Sequence, residues 1–137
     1  MLLRIGALAS CALAAACASH LPDPPANVAI GFAALPTPRV EGNDAPPGIL
    51  GMRFSTLDVR RGQQWSGVFV TGTNVASLEV RTSLFSINVP KRVPGRFSFA
   101  IDVLDTPPIF VRSYRLRVIA RNSAGNEYEE DLPFRIR

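Results

Sequence analysis

Residues 113–137 read SYRLRVIARNSAGNEYEEDLPFRIR, and this stretch decides the fold class. Tyr114, Leu116, Val118 and Ala120 alternate with Arg115, Arg117, Ile119 and Arg121. Asn122-Ser123-Ala124-Gly125-Asn126 then interrupts the pattern. Beyond it, Tyr128, Leu132, Phe134 and Ile136 hold even positions among Glu127, Glu129, Asp131, Arg135 and Arg137. A period of two puts one face of a strand in a core and the other in water. A loop of Ser123, Ala124 and Gly125, with Gly125 left-handed, sets the hairpin register. It places Asn122 opposite Asn126, Arg121 opposite Glu127, Ile119 opposite Glu129 and Arg117 opposite Asp131. The two Arg–acid pairs are each worth about 0.2–1 kcal/mol on a sheet face. The simplest reading of that face is a solvated, charged surface.

Working back along the chain, the same alternation recurs. Leu50, Met52 and Phe54 share one face of a first strand, and the phase slips at Leu57 and Val59. A slip of one residue flips the faces unless a bulge absorbs it, so residues 50–60 read as one bent strand. Residues 65–73 form a second strand, apolar on both faces. Residues 75–82 form a third, with Ala76, Leu78 and Val80 inward and Ser77, Glu79 and Arg81 outward. Residues 84–89 form a fourth. Pro90 and Pro94 bound a loop that carries Lys91 and Arg92. Residues 96–104 form a fifth, with Phe97, Phe99, Ile101 and Val103 on one face. The hairpin supplies strands six and seven. Short strands with frequent turn signals predict an all-β fold, a single seven-strand antiparallel β-sandwich over residues 49–137.

Upstream the composition changes. Residues 18–48 carry seven prolines: Pro22, Pro24, Pro25, Pro36, Pro38, Pro46 and Pro47. Proline fixes φ and removes a donor, which predicts an extended spacer rather than a helix or central strand. Such a spacer would reach on the order of 95 Å at about 3.1 Å per residue. Within it, residues 28–35 are apolar, and they read either as an added edge strand or as a loosely ordered segment. His20, the only histidine, sits in this spacer and carries no predicted role.

The N-terminus has three parts. Arg4 is a positive n-region, Ile5 to Ala16 is apolar and Ala-rich, and Ala14-Ala15-Ala16-Cys17 closes it after Leu13. About 12 apolar residues fall short of the roughly 20 that a membrane span needs, and match a signal-peptide core. Leu13-Ala14-Ala15-Ala16-Cys17 resembles the lipobox of bacterial lipoproteins. The resemblance implies a signal peptide over residues 1–16 and a diacylglycerol-modified, N-acylated Cys17 that carries fatty acids such as palmitate. A residue other than Asp at position 18, here Ala18, implies sorting to the outer membrane. Leu8-Ala9-Ser10-Cys11 is a competing lipobox, disfavoured because it leaves too short an apolar core. Cleavage after Ala16 as an ordinary secretory signal is the other alternative. Several acyl chains on one residue exceed what stable anchoring requires.

The hairpin carries a second resemblance. Tyr114-x-Leu116-x-Val118-x-Ala120-x-Asn122 followed by Ala124-Gly125-Asn126 is similar to the end of bacterial immunoglobulin-like domains. In that class a Tyr early in strand F turns a corner and bonds backbone through its hydroxyl, a role the resemblance assigns to Tyr114. The position of Leu116 would be Cys in antibody domains, so the likeness is to the disulfide-free members.

Catalysis finds little support. The lone His20 rules out a Ser-His-Asp set, lipidation of Cys17 leaves no obvious thiol nucleophile, and no metal or nucleotide motif occurs. Asp102 and Asp105 fall short of the six to eight oxygens that a Ca²⁺ site takes. No cofactor is expected. The charge of +4 is mild and interleaved with acid, which argues against nucleic acid. Binding is the more natural role. If Val68 and Val70 face the core, Trp65, Phe69 and Thr71 form an exposed strip, a candidate surface for protein or glycan. If Trp65 faces the core, that strip disappears. The sequence therefore predicts a non-enzymatic, membrane-anchored envelope lipoprotein with an immunoglobulin-like binding or structural module. The alternatives are an accessory subunit of a larger envelope assembly and, as a contrasting class, an enzyme acting on glycans.

Overall fold

The structure, a computed structural model, describes residues 20–105 and 107–137. Cys11, Cys17 and the expected signal peptide over residues 1–16 lie outside the described residues. The chain is all-β, with two five-stranded sheets. The first sheet orders β1 (Val28–Ile30), β2 (Ile49–Phe54), β4 (Gln64–Thr71), β8 (Arg96–Asp102) and β7 (Lys91–Val93). The second orders β3 (Asp58–Val59), β10 (Glu127–Ile136), β9 (Ser113–Asn122), β5 (Val75–Arg81) and β6 (Ser86–Asn88). Both sheets are mixed, because β1 runs parallel to β2 and β3 runs parallel to β10.

The β9–β10 hairpin has the register that its sequence dictates. Arg121 faces Glu127, Ile119 faces Glu129 and Arg117 faces Asp131. Gly125 has φ +87°, a left-handed conformation that Gly adopts without strain. The Asn122 side chain closes the turn by accepting from the Asn126 N–H at 2.9 Å.

The expectation of seven antiparallel strands is corrected to ten strands in mixed sheets among the described residues. Three differences produce it. First, the predicted bent strand over residues 50–60 is two strands in different sheets. The phase slip at Leu57 is the crossover itself. The Thr56 hydroxyl accepts from the Asp58 N–H at 3.0 Å and turns the chain out of the first sheet. Leu57 and Val59 then bury against the second sheet. Second, Lys91 and Arg92 lie on a short edge strand rather than in a loop. Third, residues 28–30 add an edge strand to β2, as one of the two readings of that patch anticipated.

The two sheets share one core. Met52, Phe54, Trp65, Phe69, Phe97 and Phe99 come from the first sheet, and Leu78, Val80, Leu116, Val118, Leu132 and Phe134 from the second. Trp65 joins the layers, with its ring 4.9 Å from that of Phe134 and 4.8 Å from that of Phe99. Gly67 is required where these rings close. A Cβ there would sit 2.6 Å from Phe99 and 3.2 Å from Phe54.

The proline-rich stretch is not a free spacer. The Arg39 carbonyl accepts from Thr73 N–H and the Gly48 carbonyl from Gly72 N–H. The Asn74 and Asn122 side-chain amides both donate to the Ala45 carbonyl, at 2.6 and 3.1 Å. Arg53 Nη1 donates to the Ala33 carbonyl at 2.8 Å. Pro36 and Pro38 lie so close to Gly51 and Gly95 that a Cβ on either glycine would clash with them. Residues 33–48 therefore form a strap that crosses the outer face of the first sheet at Ala33 to Pro38 and continues along the turn after β4 to Asn122. Proline suits this role because the strap takes few ladder hydrogen bonds and needs a stiff, extended chain.

Candidate functional site

The predicted aromatic strip does not exist as a surface. Trp65 is 1% exposed, and Phe69 and Thr71 are 0% exposed. The register explains why. Phe69 pairs with Met52 and Phe97, and all three point between the sheets. Val68 and Val70 take the other face, where Val70 is flanked in register by Gly51 and Arg96 and lies under the Pro36–Pro38 strap. A strand that is apolar on both faces is covered on both faces. The buried indole N–H is satisfied by donating to the Thr56 carbonyl at 2.9 Å. Trp65, Phe69 and Thr71 are therefore corrected from binding surface to core.

Trp65 still borders space. A cavity of about 240 Å³ opens between the sheets beside it, walled by Phe85, Ile101, Phe134 and Ile136. A dry apolar cavity of about 150 Å³ holds a benzene ring, so this one has room for an apolar group of about ten heavy atoms.

Tyr114 sits at the start of β9, where the chain passes between sheets. Its hydroxyl donates to the Phe110 carbonyl at 2.8 Å, four residues upstream. Phe110 ends a single 3-10 turn, Pro108–Phe110. The Arg112 guanidinium lies 5.1 Å from the centre of the Tyr114 ring.

The outer face of the second sheet is an ion-pair lattice. Glu79 is at its centre and is 8% exposed. It accepts from the Ser86 hydroxyl at 2.6 Å, from Arg121 Nη1 at 3.0 Å, and from Arg81 through two bonds of 2.9 Å. The Ser86 hydrogen bond, with the Arg121 and Arg81 guanidinia, overrides burial and holds the carboxyl at about 2. Arg121 also meets Glu127 at 2.6 Å, and Arg117 meets Asp131 at 2.9 Å. This lattice roofs Ile119, which is 1% exposed although it lies outside the shared core. The sequence pattern had placed Glu79 in solvent, and neither its burial nor that of Ile119 follows from alternation alone. Ala76, expected inward, is exposed because a bulge between Val75 and Ser77 rotates it out.

At the other edge of this sheet Asp58 accepts two bonds from Arg135, at 3.1 and 2.8 Å, and further bonds from Arg137. The Arg135 hydrogen bonds lead in holding it at about 2. His20 lines an adjacent cleft with Asp58, Arg135 and Arg137. Asp105 lies 3.8 Å from Arg61. Among the described residues no cluster of His, Cys, Asp and Glu could hold a metal ion, and no helix is long and apolar enough to cross a membrane. Comparison with protein-family models, with curated proteins and with solved structures finds no match to this chain.

Proposed function

We propose that the chain is an outer-membrane lipoprotein whose acylated Cys17 holds an immunoglobulin-like module, which binds an envelope protein or glycan without catalysing a reaction. The observation that carries this reading is the Leu13-Ala14-Ala15-Ala16-Cys17 lipobox behind an apolar, singly charged leader. The strand order supports the module's class. The first sheet reads as A, B, E and D from β2 to β7. The second reads as A′, G, F, C and C′ from β3 to β6. The Tyr114–Phe110 bond supports reading Tyr114 as the corner residue of strand F.

The packing of Asn27 and β1 on the module changes the reach of the anchor. Asn27 already bonds Glu130 at 3.0 Å, and β1 begins at Val28. Nine residues, or ten Cα–Cα steps, separate Cys17 from Asn27, so the arm spans at most about 35 Å rather than the roughly 95 Å of an extended spacer. The module is thereby kept beside the lipid surface, and its partner is sought there.

Cell fractionation tests the anchor. Cys17→Ser is expected to move the protein from the membrane to a soluble envelope fraction and to abolish labelling by a palmitate analogue. If Cys11→Ser alone does this, the acceptor is the other cysteine. Membrane retention and labelling that survive both changes would sink the lipoprotein reading.

A further inference from the structure

The ion-pair lattice has one opening that its own acids do not fill. Arg81 and Arg117 are direct cross-strand partners on β5 and β9. Like charges set directly opposite one another destabilise a sheet. Arg115, two residues along β9, adds a third guanidinium on the same face. Beside them Thr82 and Ser83 leave the end of β5. Together these residues line a cavity of about 270 Å³ with no carboxylate in its wall.

The acids stand behind the arginines instead. Glu79 takes Arg81 Nε and Nη2. Asp131 takes Arg117 Nε and Nη2, at 2.9 and 3.3 Å, and Glu129 lies 3.5 Å from Arg117 Nη1. Arg115 reaches Asp131 only at 3.7 Å, and its side chain is 73% exposed. Each guanidinium has five N–H donors in a planar fork. Glu79 grips one edge of Arg81, and Asp131 and Glu129 between them hold all three nitrogens of Arg117, so both are fixed in orientation. The N–H groups left over on Arg81, Arg115 and the Arg117 Nη atoms serve the cavity. The Thr82 oxygen accepts from the N–H groups of Leu84 and Phe85, which fixes the turn. Ser83 is exposed at the rim, and no described residue bonds its hydroxyl.

We infer that this cavity is an anion site that takes a phosphate group, with Arg81, Arg115 and Arg117 as donors and the Ser83 hydroxyl at its edge. A phosphate presents several acceptor oxygens to converging forks and relieves the Arg81–Arg117 repulsion from the side the acids do not occupy. The same chemistry occurs in inorganic phosphate and in the head group of an anionic lipid. The inference does not depend on lipidation, because the site is formed wholly by β5, β9 and the turn after β5.

The test is titration of the purified protein with inorganic phosphate at constant ionic strength, read from backbone amide shifts. Saturable shifts at Thr82, Ser83 and Arg115, with a dissociation constant on the order of 1 mM, are expected. Arg115→Gln should weaken binding about tenfold, the loss of one charge-assisted hydrogen bond. Ser83→Ala, which leaves the arginines in place, should weaken it by a smaller factor. Arg96→Gln, on the first sheet, should bind as the parent does. Shifts that never saturate, that Arg115→Gln and Ser83→Ala both leave unchanged, or that Arg96→Gln reduces as much as Arg115→Gln would overturn the site. Vesicles of phosphatidylglycerol and of phosphatidylcholine separate the sources. Retention on phosphatidylglycerol alone, lost in Arg115→Gln, assigns a lipid head group. No retention, with inorganic phosphate still saturating, assigns a soluble phosphate.

Discussion

Each sheet buries one valine or isoleucine on the side away from the shared core, and each does so by different means. On the first sheet Val70 is covered by a separate stretch of chain, the proline rings of the strap of residues 33–48, which is pinned through the carbonyls of Ala33, Arg39 and Ala45. On the second, Ile119 is covered by side chains, the lattice built around Glu79. A strap excludes water through chain that folding must order, whereas a lattice uses side chains already held by the ladder. The strap should therefore depend little on pH or salt, and the lattice on both.

The largest effect is expected from removing most of the strap together with β1. A chain lacking residues 20–46 loses β1, both bonds to the Ala45 carbonyl and the cover over Val70. Urea denaturation should show a loss on the order of 4 kcal/mol, from re-exposed apolar surface and lost hydrogen bonds. A loss below about 1 kcal/mol would mean that the strap merely rests on the sheet.

The lattice should break at its buried carboxylate. Glu79→Gln is expected to cost about 2 kcal/mol at neutral pH, since charge-assisted hydrogen bonds are weakened on a buried group. Its pH dependence has a definite sign. The folded-state pKa of Glu79 is depressed, from 4.5 to about 2. Its contribution is thus complete above the unfolded value and is lost as pH falls toward the folded one. The gap between parent and variant should close between about pH 4.5 and 2, measured as urea midpoints across pH. A gap that stays constant over that range would remove the carboxylate as its cause.

The smallest effect belongs to the lattice's exposed margin. Arg117→Gln should lower the midpoint slightly at low salt, less than Glu79→Gln does. That difference should vanish near 1 M salt, where screening acts over about 3 Å. The strap deletion should keep its full effect there. If salt weakens the strap's contribution as much as that of Arg117, the contrast between the two coverings fails.

The hairpin was legible because three local facts agreed: period-two alternation, a loop of fixed length and a Gly at its left-handed position. Those facts determine register without reference to the rest of the chain. The phase slip at Leu57 was equally visible, but a slip marks a bulge and a change of sheet alike. Only the neighbour across the ladder distinguishes them, and for β3 that neighbour is β10, 77 residues from Asp58 to Arg135. Trp65 was ambiguous for the same reason. A strand apolar on both sides has no preferred face until something else covers one of them, and that cover came from prolines that local reasoning assigns to a spacer.

By itself the sequence determined the β class and the hairpin register. These follow from backbone geometry and alternation over a few residues. Tertiary structure decided which apolar faces became core, where the strap lay, and that Glu79 is buried at the centre of an ion-pair lattice. It also brought Arg81 beside Arg117, with Arg115 next to them. Such outcomes depend on contacts between residues far apart in the chain, and their energies are settled only when both partners are in place.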